Sequence, residues 1–305
     1  MEGGRTMKRL LAVLVVTLLI PASVIAQNPR TVVLLYAFAP EGVLLRQRMT
    51  DRQSHTDPSL GQVDVGTLGG VRVALIGTRV GMTHAARATQ RAIDLYDPPL
   101  IVFSGICGGM SPTNHIGDIL LQDEWVQHDF GYVGADGKIT VRQGPLDGAN
   151  ANVSTGPLYT AYFKVDPQLV VIGFAASRDV KLAPVQGRVP EVKVGGIGVS
   201  GNIFLDNAQV RQDFVARFSR PDKEVQCVDM ETTAIMQTAF FTPSLRTPTG
   251  AVKVLPWRSA SDLAGGSGSA TAAQEIRAFF QVAANNAAEA TLASLVWIGR
   301  AGMAR

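Results

Sequence analysis

The sequence is poor in cysteine and histidine, and this limits the kinds of site that it can form. Only Cys107 and Cys227 occur in 305 residues, so the chain is not a disulfide scaffold. One bridge or two free buried thiols remain, and the second is favoured. The four histidines are scattered, and none has a partner at the spacing of metal ligands: His55, His84, His115 and His128. The sequence therefore predicts no metal site and no cofactor.

The N-terminal apolar run is too short to cross a bilayer. Lys8 and Arg9 precede an apolar stretch over 10–20, well below the roughly 20 residues that a spanning helix needs. Small residues then follow over 21–26, in the pattern that a signal peptidase recognises. We expect residues 1–26 to be a cleaved export signal and 27–305 to form the folded domain, periplasmic or secreted. An uncleaved membrane anchor is the alternative.

A strong excess of charge of one sign is also missing. The formal net charge is +3, and the signal segment carries about +2 of it through Arg5, Lys8, Arg9 and Glu2. No dense cluster of lysine and arginine with interleaved aromatic residues occurs. The high isoelectric point therefore does not indicate a nucleic-acid partner, and no membrane partner is expected once the signal is removed.

Apolar patterns of strand and helix type alternate along the rest of the chain. Strands are predicted over 31–38, 62–67, 71–77, 100–104, 119–126, 192–200, 225–228 and 251–255. Helices are predicted over 83–96, 167–177, 210–218, 232–241 and 271–298. This alternation predicts one α/β domain with a mixed central β-sheet flanked by helices. The segment 134–155, rich in Gly, Asn and Asp, is predicted to be a mobile loop.

Four segments that follow predicted strands carry unusual residues. They are 37–42 with Glu41, the glycine-rich 105–109, 229–231 and 258–262. Each alone is weak, because a glycine loop is usually a tight turn and an isolated acid usually caps a helix. Ligands bind where buried strands of α/β sheets end. Four such segments together therefore predict a site.

Short motifs in these segments carry a resemblance to a known family. The segments SGICGG (104–109), GDI (117–119), FKVD (163–166), VSGNIF (199–204), VDMETTA (228–234) and RSASD (258–262) resemble, in order, TGSAGG, GDI, FKAD, VSGDAF, VEMEATA and RAISD. Gly81 stands where the family has a GIG turn. The chain thus resembles the nucleoside phosphorylase/nucleosidase family, and is most similar to its methylthioadenosine/S-adenosylhomocysteine nucleosidases. The resemblance extends over nearly all of 27–305 and implies a nucleoside phosphorylase-like fold.

The resemblance also implies roles for particular residues. Asp262 would protonate the departing purine and Glu41 would face the attacking water, so these two are the predicted catalytic residues. Glu231 would accept hydrogen bonds from ribose hydroxyls, and a carboxylate can accept two at once. Further substrate contacts are expected from residues around these acids: Met230, Phe204, Ile203, Gly108, Cys107, Ile106, Phe38 and Ser261. Cys107 is not expected to be a nucleophile, because no histidine motif supports it.

The implied activity is hydrolysis of a purine nucleoside, with two alternatives left open. Bacterial purine phosphorylases carry an arginine and a serine where this chain has Phe103 and Ile106, and Glu41 would repel phosphate. Phosphate-dependent cleavage is therefore the alternative rather than the expectation. The other alternative is a non-catalytic nucleoside-binding or storage protein. The presence of Glu41, Glu231 and Asp262 together argues against it, because storage would not need all three.

Three departures from the family pattern concern the substrate. Ile106 replaces a serine, Asn202 replaces an aspartate beside the base, and Pro40 lies in a stretch that is usually acidic. The expected substrate is a nucleoside such as methylthioadenosine, S-adenosylhomocysteine, adenosine or inosine. From the resemblance alone, we expect a homodimer or a higher homo-oligomer.

Overall fold

A computed structural model describes residues 30–135, 139–141, 162–242 and 251–304. In this part of the chain the strands are β1 (Val32–Tyr36), β2 (Thr50–Asp57), β3 (Gly61–Leu68), β4 (Val71–Gly77), β5 (Leu100–Gly109), β6 (Ile119–Leu121), β7 (Glu124–Gln127), β8 (Gly131–Val133), β9 (Ile139–Val141), β10 (Tyr162–Lys164), β11 (Val192–Val194), β12 (Ile197–Ser200), β13 (Val225–Asp229) and β14 (Lys253–Asp262). The helices are α1 (Ala39–Arg48), α2 (Met82–Tyr96), α3 (Pro167–Ser177), α4 (Ala208–Phe218), α5 (Thr232–Phe241) and α6 (Ala272–Arg300).

One mixed sheet forms the centre of the fold. Its main path runs β10-β7-β12-β13-β5-β1-β4-β3-β2, while β14 pairs with β5 and β6, and β6 also pairs with β11. Strands β8 and β9 make a separate two-stranded sheet. The prediction of an α/β domain with a mixed sheet flanked by helices is confirmed.

The position of the site follows from the three partners of β5. This strand is buried at all ten positions, as its apolar sequence requires. It pairs in parallel with β1 through its first half and with β14 along nearly its whole length, and antiparallel with β13 at its last two residues. The C-terminal ends of β1, β5, β13 and β14 therefore lie close together. The predicted acids Glu41, Glu231 and Asp262 lie at or just after the ends of β1, β13 and β14.

Helix α6 closes one face of this centre. Its alanine-rich side is buried and packs against β5 and β14. Thr271 caps its first turn by accepting a hydrogen bond from the backbone N–H of Gln274, whose side chain in turn accepts one from the backbone N–H of Thr271. Because the helix begins at this box, its first turns lie beside the end of β14.

The structure differs from the sequence expectations in several elements. The segments 105–109 and 258–262, predicted as loops, are the second halves of β5 and β14. The predicted strands over 119–126 and 192–200 are each divided into two, the second at Gly195 and Gly196, whose φ angles of 99° and 90° interrupt an extended chain. Helix α1 and strand β2 were not predicted, since neither carries a periodic apolar pattern.

Some expectations concern residues outside the described ranges. The predicted signal segment, 1–26, lies wholly outside them, as does most of the predicted loop over 134–155. Over the residues that are described, no helix is long and apolar enough to cross a membrane. Both cysteines, Cys107 and Cys227, are free and buried.

Candidate active site

A cavity of about 320 Å³ lies where β1, β5, β13 and β14 end. This is within the size range of small-molecule sites. All residues that the sequence analysis assigned to the site line it: Phe38, Glu41, Ile106, Cys107, Gly108, Ile203, Phe204, Met230, Glu231, Ser261 and Asp262. The structure thus brings these eleven residues together from five separate segments of the chain. Their roles in binding and catalysis stay predictions.

Glu41 is buried beneath the cavity at the third position of α1. Its side chain turns back, and Oε2 accepts hydrogen bonds from the backbone N–H groups of Ala37 (2.6 Å) and Phe38 (3.2 Å). Oε1 accepts from the backbone N–H of Ile106 at 2.8 Å. Burial raises the pKa of Glu41 above its ordinary value, against the lowering effects of Arg258 and these hydrogen bonds. Glu41 is therefore a stronger base, when ionised, than an exposed glutamate.

Glu231 is held between a backbone amide and a buried arginine. Its Oε1 accepts from the backbone N–H of Gly81 at 2.9 Å, and its Oε2 accepts from Nη2 of Arg258 at 3.0 Å. Burial raises the pKa of Glu231 to about 7, and the charge of Asp229 adds to this, while Arg258 opposes it. Each oxygen keeps a lone pair that can accept a further hydrogen bond.

Arg258 is the buried cation that links the carboxylates. Its Nε and Nη2 lie 2.8 Å and 2.6 Å from Oδ2 of Asp229. Its Nη1 lies 3.9 Å from Oε1 of Glu41, and the guanidinium carbon stacks 3.9 Å from the ring centroid of Phe103. Burial acts to lower the pKa of Arg258, but the neighbouring carboxylates outweigh it and the net shift is upward. The guanidinium thus stays charged and balances the acids around it.

Asp229 has a different task from Glu231, two residues further on. Its carboxylate accepts hydrogen bonds from Ser200 Oγ at 2.6 Å, from the backbone N–H and hydroxyl of Thr232, and from Arg258. These bonds fill its acceptor positions and hold the start of α5. Asp229 therefore fixes Arg258 and the helix, and leaves Glu231 to face the cavity.

Asp262, at the end of β14, is buried with few polar partners. Its Oδ1 accepts from the backbone N–H of Ala264 at 2.9 Å, and its Oδ2 lies 2.9 Å from Ser261 Oγ. Burial raises the pKa of Asp262 to about 7, against the lowering effect of these two bonds. A carboxyl group with this pKa is partly protonated at neutral pH, so it can donate a proton to a bound molecule.

Apolar side chains form the rest of the cavity wall. Phe38, Ile106 and Ile276 lie on the side of α6, and Phe38 packs 6.4 Å from Phe280 between ring centroids. Ile203 and Phe204 lie at the mouth, 56% and 43% exposed. The cavity therefore combines an apolar wall with acids at its end, an arrangement that suits a molecule with both an aromatic and a hydroxylated part.

A comparison with models of protein families assigns the chain to a superfamily. A family model described as the phosphorylase superfamily matches residues 31–296. The chain belongs to the phosphorylase superfamily. The recognition made from the motifs is thereby confirmed.

Solved structures share the fold of this superfamily member. A 5′-methylthioadenosine/S-adenosylhomocysteine nucleosidase from Neisseria meningitidis, in complex with methylthio-immucillin-A, is 24% identical, with a TM-score of 0.67, and the match covers 88% of this chain and 99% of that chain. One from Colwellia psychrerythraea, in complex with adenine, is 22% identical, with a TM-score of 0.68 and coverage of 88% and 96%. The futalosine hydrolase of Helicobacter pylori is 18% identical, with a TM-score of 0.66 and coverage of 87% and 97%.

Two residues of the site, Arg258 and Asp229, occur within the family motifs, but the sequence analysis predicted no role for either. The sequence could have predicted a role for Arg258. Three acids that share one buried site need a positive charge nearby, and an arginine in a mostly apolar strand needs acids to pair with. The sequence analysis also missed Gly105, where a Cβ atom would overlap both Arg258 Nη1 and the carboxylate of Glu41. No local pattern distinguishes this glycine from an ordinary turn glycine.

Two histidines of this superfamily member have contacts that do not involve Glu41, Glu231 or Asp262. No group of three or more His, Cys, Asp and Glu side chains among the described residues is arranged to hold a metal ion. His128 is buried against the ring of Phe214, with centroids 4.8 Å apart, and Nδ1 of His115 lies 3.8 Å from Oδ2 of Asp118.

Proposed function

We propose that the chain is a purine nucleosidase, an N-ribosyl hydrolase that cleaves the glycosidic bond of a purine nucleoside with water. One observation carries the proposal: Glu41, Glu231 and Asp262, distant in sequence, line one apolar cavity of nucleoside size. The similarity to nucleosidases and to a hydrolase among the solved structures supports it. Each acid has surroundings that fit a different step.

Glu231 acts on the sugar. With Oε1 and Oε2 fixed by Gly81 and Arg258, its remaining lone pairs accept hydrogen bonds from ribose hydroxyls. As the C1′–N bond breaks, the sugar gains oxocarbenium character. A fixed carboxylate stabilises that positive charge more than it stabilises the neutral nucleoside, so its effect is greatest in the transition state.

Asp262 acts on the base. A purine leaves poorly as an anion, and protonation at N7 removes this barrier. Because burial raises the pKa of Asp262 to about 7, the carboxyl group is partly protonated at neutral pH, and the protonated form gives up its proton readily. The apolar side chains of the wall, with Phe204 at the mouth, pack against the purine ring.

Glu41 acts on water. Its carboxylate is fixed by the backbone N–H groups of Ala37, Phe38 and Ile106, and Oε1, which has one acceptor position taken by Ile106, retains a lone pair for a water proton. The raised pKa of Glu41 makes it the better base for removing that proton as water adds to C1′. Arg258, 3.9 Å away, keeps the carboxylate oriented by charge.

The surroundings favour water over phosphate as the nucleophile. Phe103 lies beneath the Arg258 guanidinium, and the side chain of Ile106 offers no donor. Arg258 is already paired with Asp229 and Glu231. Among the described residues that line the cavity there is no lysine or arginine, so a phosphate dianion would meet the carboxyl groups of Glu41, Glu231 and Asp262.

The proposal extends to the substrate of the protein, its location and its oligomeric state. The apolar wall suits a nucleoside with a small 5′ substituent, such as methylthioadenosine, as well as adenosine or inosine. We place the protein outside the cytoplasm after removal of residues 1–26. Ile203 and Phe204, exposed at the mouth, fit a homodimer or higher homo-oligomer in which a second copy covers them.

The test is incubation of the purified protein with methylthioadenosine, S-adenosylhomocysteine, adenosine and inosine, each with and without phosphate. We expect free purine and free ribose sugar without phosphate, and no increase when phosphate is added. Release that requires phosphate would overturn hydrolysis in favour of phosphorolysis. A nucleoside-induced rise in melting temperature without any release would instead identify a binding protein.

A further inference from the structure

The two cysteines of the chain lie on neighbouring strands beside the cavity. Cys107 is in β5 and Cys227 is in β13, and both are free and buried. The two strands pair antiparallel at this point, with Cys227 opposite Gly109. Gly109 lies two residues after Cys107, and residues two apart on a strand share a face of the sheet. Cys107 and Cys227 are therefore diagonal neighbours on one face.

The packing around the two thiols also places them together. Both side chains belong to the same apolar core cluster. The residues next to them in sequence, Ile106 and Val228, belong to two other clusters, as expected for side chains that point to the opposite face. Burial raises the pKa of the Cys227 thiol, and the thiol of Cys107 adds to the shift. The two thiols are thus close enough to affect each other.

The two thiols differ in their access to the cavity. Cys107 lines the cavity of about 320 Å³ and is 4% exposed, whereas Cys227 does not line it and is 0% exposed. A small uncharged oxidant that enters the cavity therefore meets Cys107 first. The raised pKa of Cys227 also makes its thiolate scarce, so it reacts poorly with reagents from solvent. It is placed instead to react with an oxidised Cys107.

We propose that Cys107 and Cys227 form a reversible oxidation site, which a small peroxide reaches through the cavity and which closes to an intramolecular disulfide. The proposal goes beyond the proposed function and does not rest on it. Cα atoms of diagonal neighbours are about 7–8 Å apart, slightly beyond the usual range for a disulfide, so closure draws β13 towards β5. A bond closed under such strain is readily reduced, which makes the modification reversible.

The chemistry balances with peroxide as the only oxidant. The sulfur of Cys107 attacks one peroxide oxygen, the O–O bond breaks, and the thiol proton leaves with the second oxygen as water. Cys107 is then a sulfenic acid. The sulfur of Cys227 attacks the sulfur of Cys107, the S–O bond breaks, and the hydroxyl group leaves with the Cys227 proton as a second water. Two thiols are oxidised to one disulfide, and one peroxide is reduced to two waters.

The experiment treats the folded full chain with hydrogen peroxide after reduction with dithiothreitol and removal of the reductant. We expect the intact mass to fall by about 2 Da, the two hydrogen atoms lost on forming a disulfide. Alkylation after unfolding should then modify neither cysteine, and dithiothreitol should restore both. Since Cys107 and Cys227 are the only cysteines in the sequence, the assignment is unambiguous.

Two matched variants test the order of the steps. In Cys227→Ala, the sulfenic acid at Cys107 has no thiol to react with, so dimedone should trap it and no loss of about 2 Da should occur. In Cys107→Ala, the buried Cys227 should stay a thiol during the same treatment. If either alanine variant fails to fold, the corresponding serine variant keeps the size of the side chain and serves the same measurement.

Three outcomes would overturn the proposal. The first is a wild type that keeps both thiols, or that takes Cys107 to sulfinic acid while Cys227 stays a thiol, because the residues would then be too far apart to join. The second is disulfide-linked dimers on a non-reducing gel in place of the intramolecular bond. The third is oxidation of Cys227 in Cys107→Ala as fast as that of Cys107 in Cys227→Ala, which would exclude entry through the cavity.

These measurements are masses and trapped adducts, so none depends on turnover. Failure to form the disulfide would leave the nucleosidase assay intact as a test of the proposed function. Conversely, a chain without nucleosidase activity would still form the disulfide if the two cysteines are paired as proposed.

Discussion

At the scale of the residue, their contacts are what separate two of the cavity acids, Asp262 and Glu231, in their proposed functions. Asp262 and Glu231 both have pKa values raised to about 7, yet Glu231 touches a guanidinium, whereas the donors to Asp262 in the described part of the chain are neutral. A carboxyl group beside a cation serves to stabilise positive charge, and one without a cation serves to donate a proton. Sequence motifs located both acids, but only the contacts distinguish their tasks.

Replacing Asp262 by Asn should reduce turnover of purine nucleosides by at least about 100-fold, because the amide cannot donate the proton that N7 needs. In the wild type, the protonated form of Asp262 is lost as pH rises through about 7, so activity should decline above that pH. The measurement is kcat from release of free base between pH 5 and pH 9. Asp213→Asn, an exposed acid in α4, is the control and should keep wild-type rates. Unchanged turnover in Asp262→Asn would contradict the general-acid role.

The same substitution should change stability in a pH-dependent way. The pKa of Asp262 rises from 3.8 to about 7 on folding, so the folded wild type binds more protons between these values and loses stability as pH increases through them. Asn carries no such charge. Asp262→Asn should therefore melt near the wild type at pH 4 and several degrees above it at pH 8. Thermal unfolding at the two pH values checks this, and a constant difference would refute burial of a titrating carboxyl group.

At the scale of the element, the site depends on strands that continue through glycine. Gly105, Gly108 and Gly109 are weak strand formers, and this composition led to the prediction of a loop. The strand continues because β14 pairs with β5 as far as Gly108, and β13 pairs with its last two residues. Pairing partners distant in sequence thus overrode local propensity. The amphipathic α2 and the long α6 were predictable, because their periodicity is local.

The start of α6 also positions the mouth of the cavity. Asp206, two residues after Phe204, accepts hydrogen bonds from the backbone N–H groups of Ala272 (2.7 Å) and Ala273 (3.2 Å). Asp206→Ala removes both and should cost about 1 kcal/mol of stability, as for other helix caps. Because the segment with Phe204 is then less fixed, KM should rise several-fold while kcat changes little.

Steady-state kinetics and thermal unfolding of Asp206→Ala check this. Asp213→Ala is the matched control, since Asp213 is an exposed acid whose side chain accepts a hydrogen bond from Gln209 within α4. A fall in kcat with KM unchanged would show that Asp206 does not act through the mouth of the cavity.

At the scale of the whole molecule, the family match does not include the proposed export signal. The superfamily match begins at residue 31, after the segment proposed as a signal. Expressed with its full sequence in a bacterium with a periplasm, the protein should be recovered there with a mass that corresponds to a start near Gln27. Replacement of Lys8 and Arg9 by Glu should retain it in the cytoplasm at full length, because the positive n-region is lost. Recovery of uncleaved protein in the membrane fraction would favour an anchor instead.

The sequence by itself determined the family, the class of fold and the positions of the acids, because these depend on short motifs and on local hydrophobic periodicity. Only the tertiary structure decided how the acids are held. The contacts of Arg258 with Asp229 and Glu231, and of Glu41 with the amide of Ile106, join residues 27 to 65 positions apart. Such contacts arise when β5 pairs with β1, β13 and β14 at once, and no local pattern specifies that pairing.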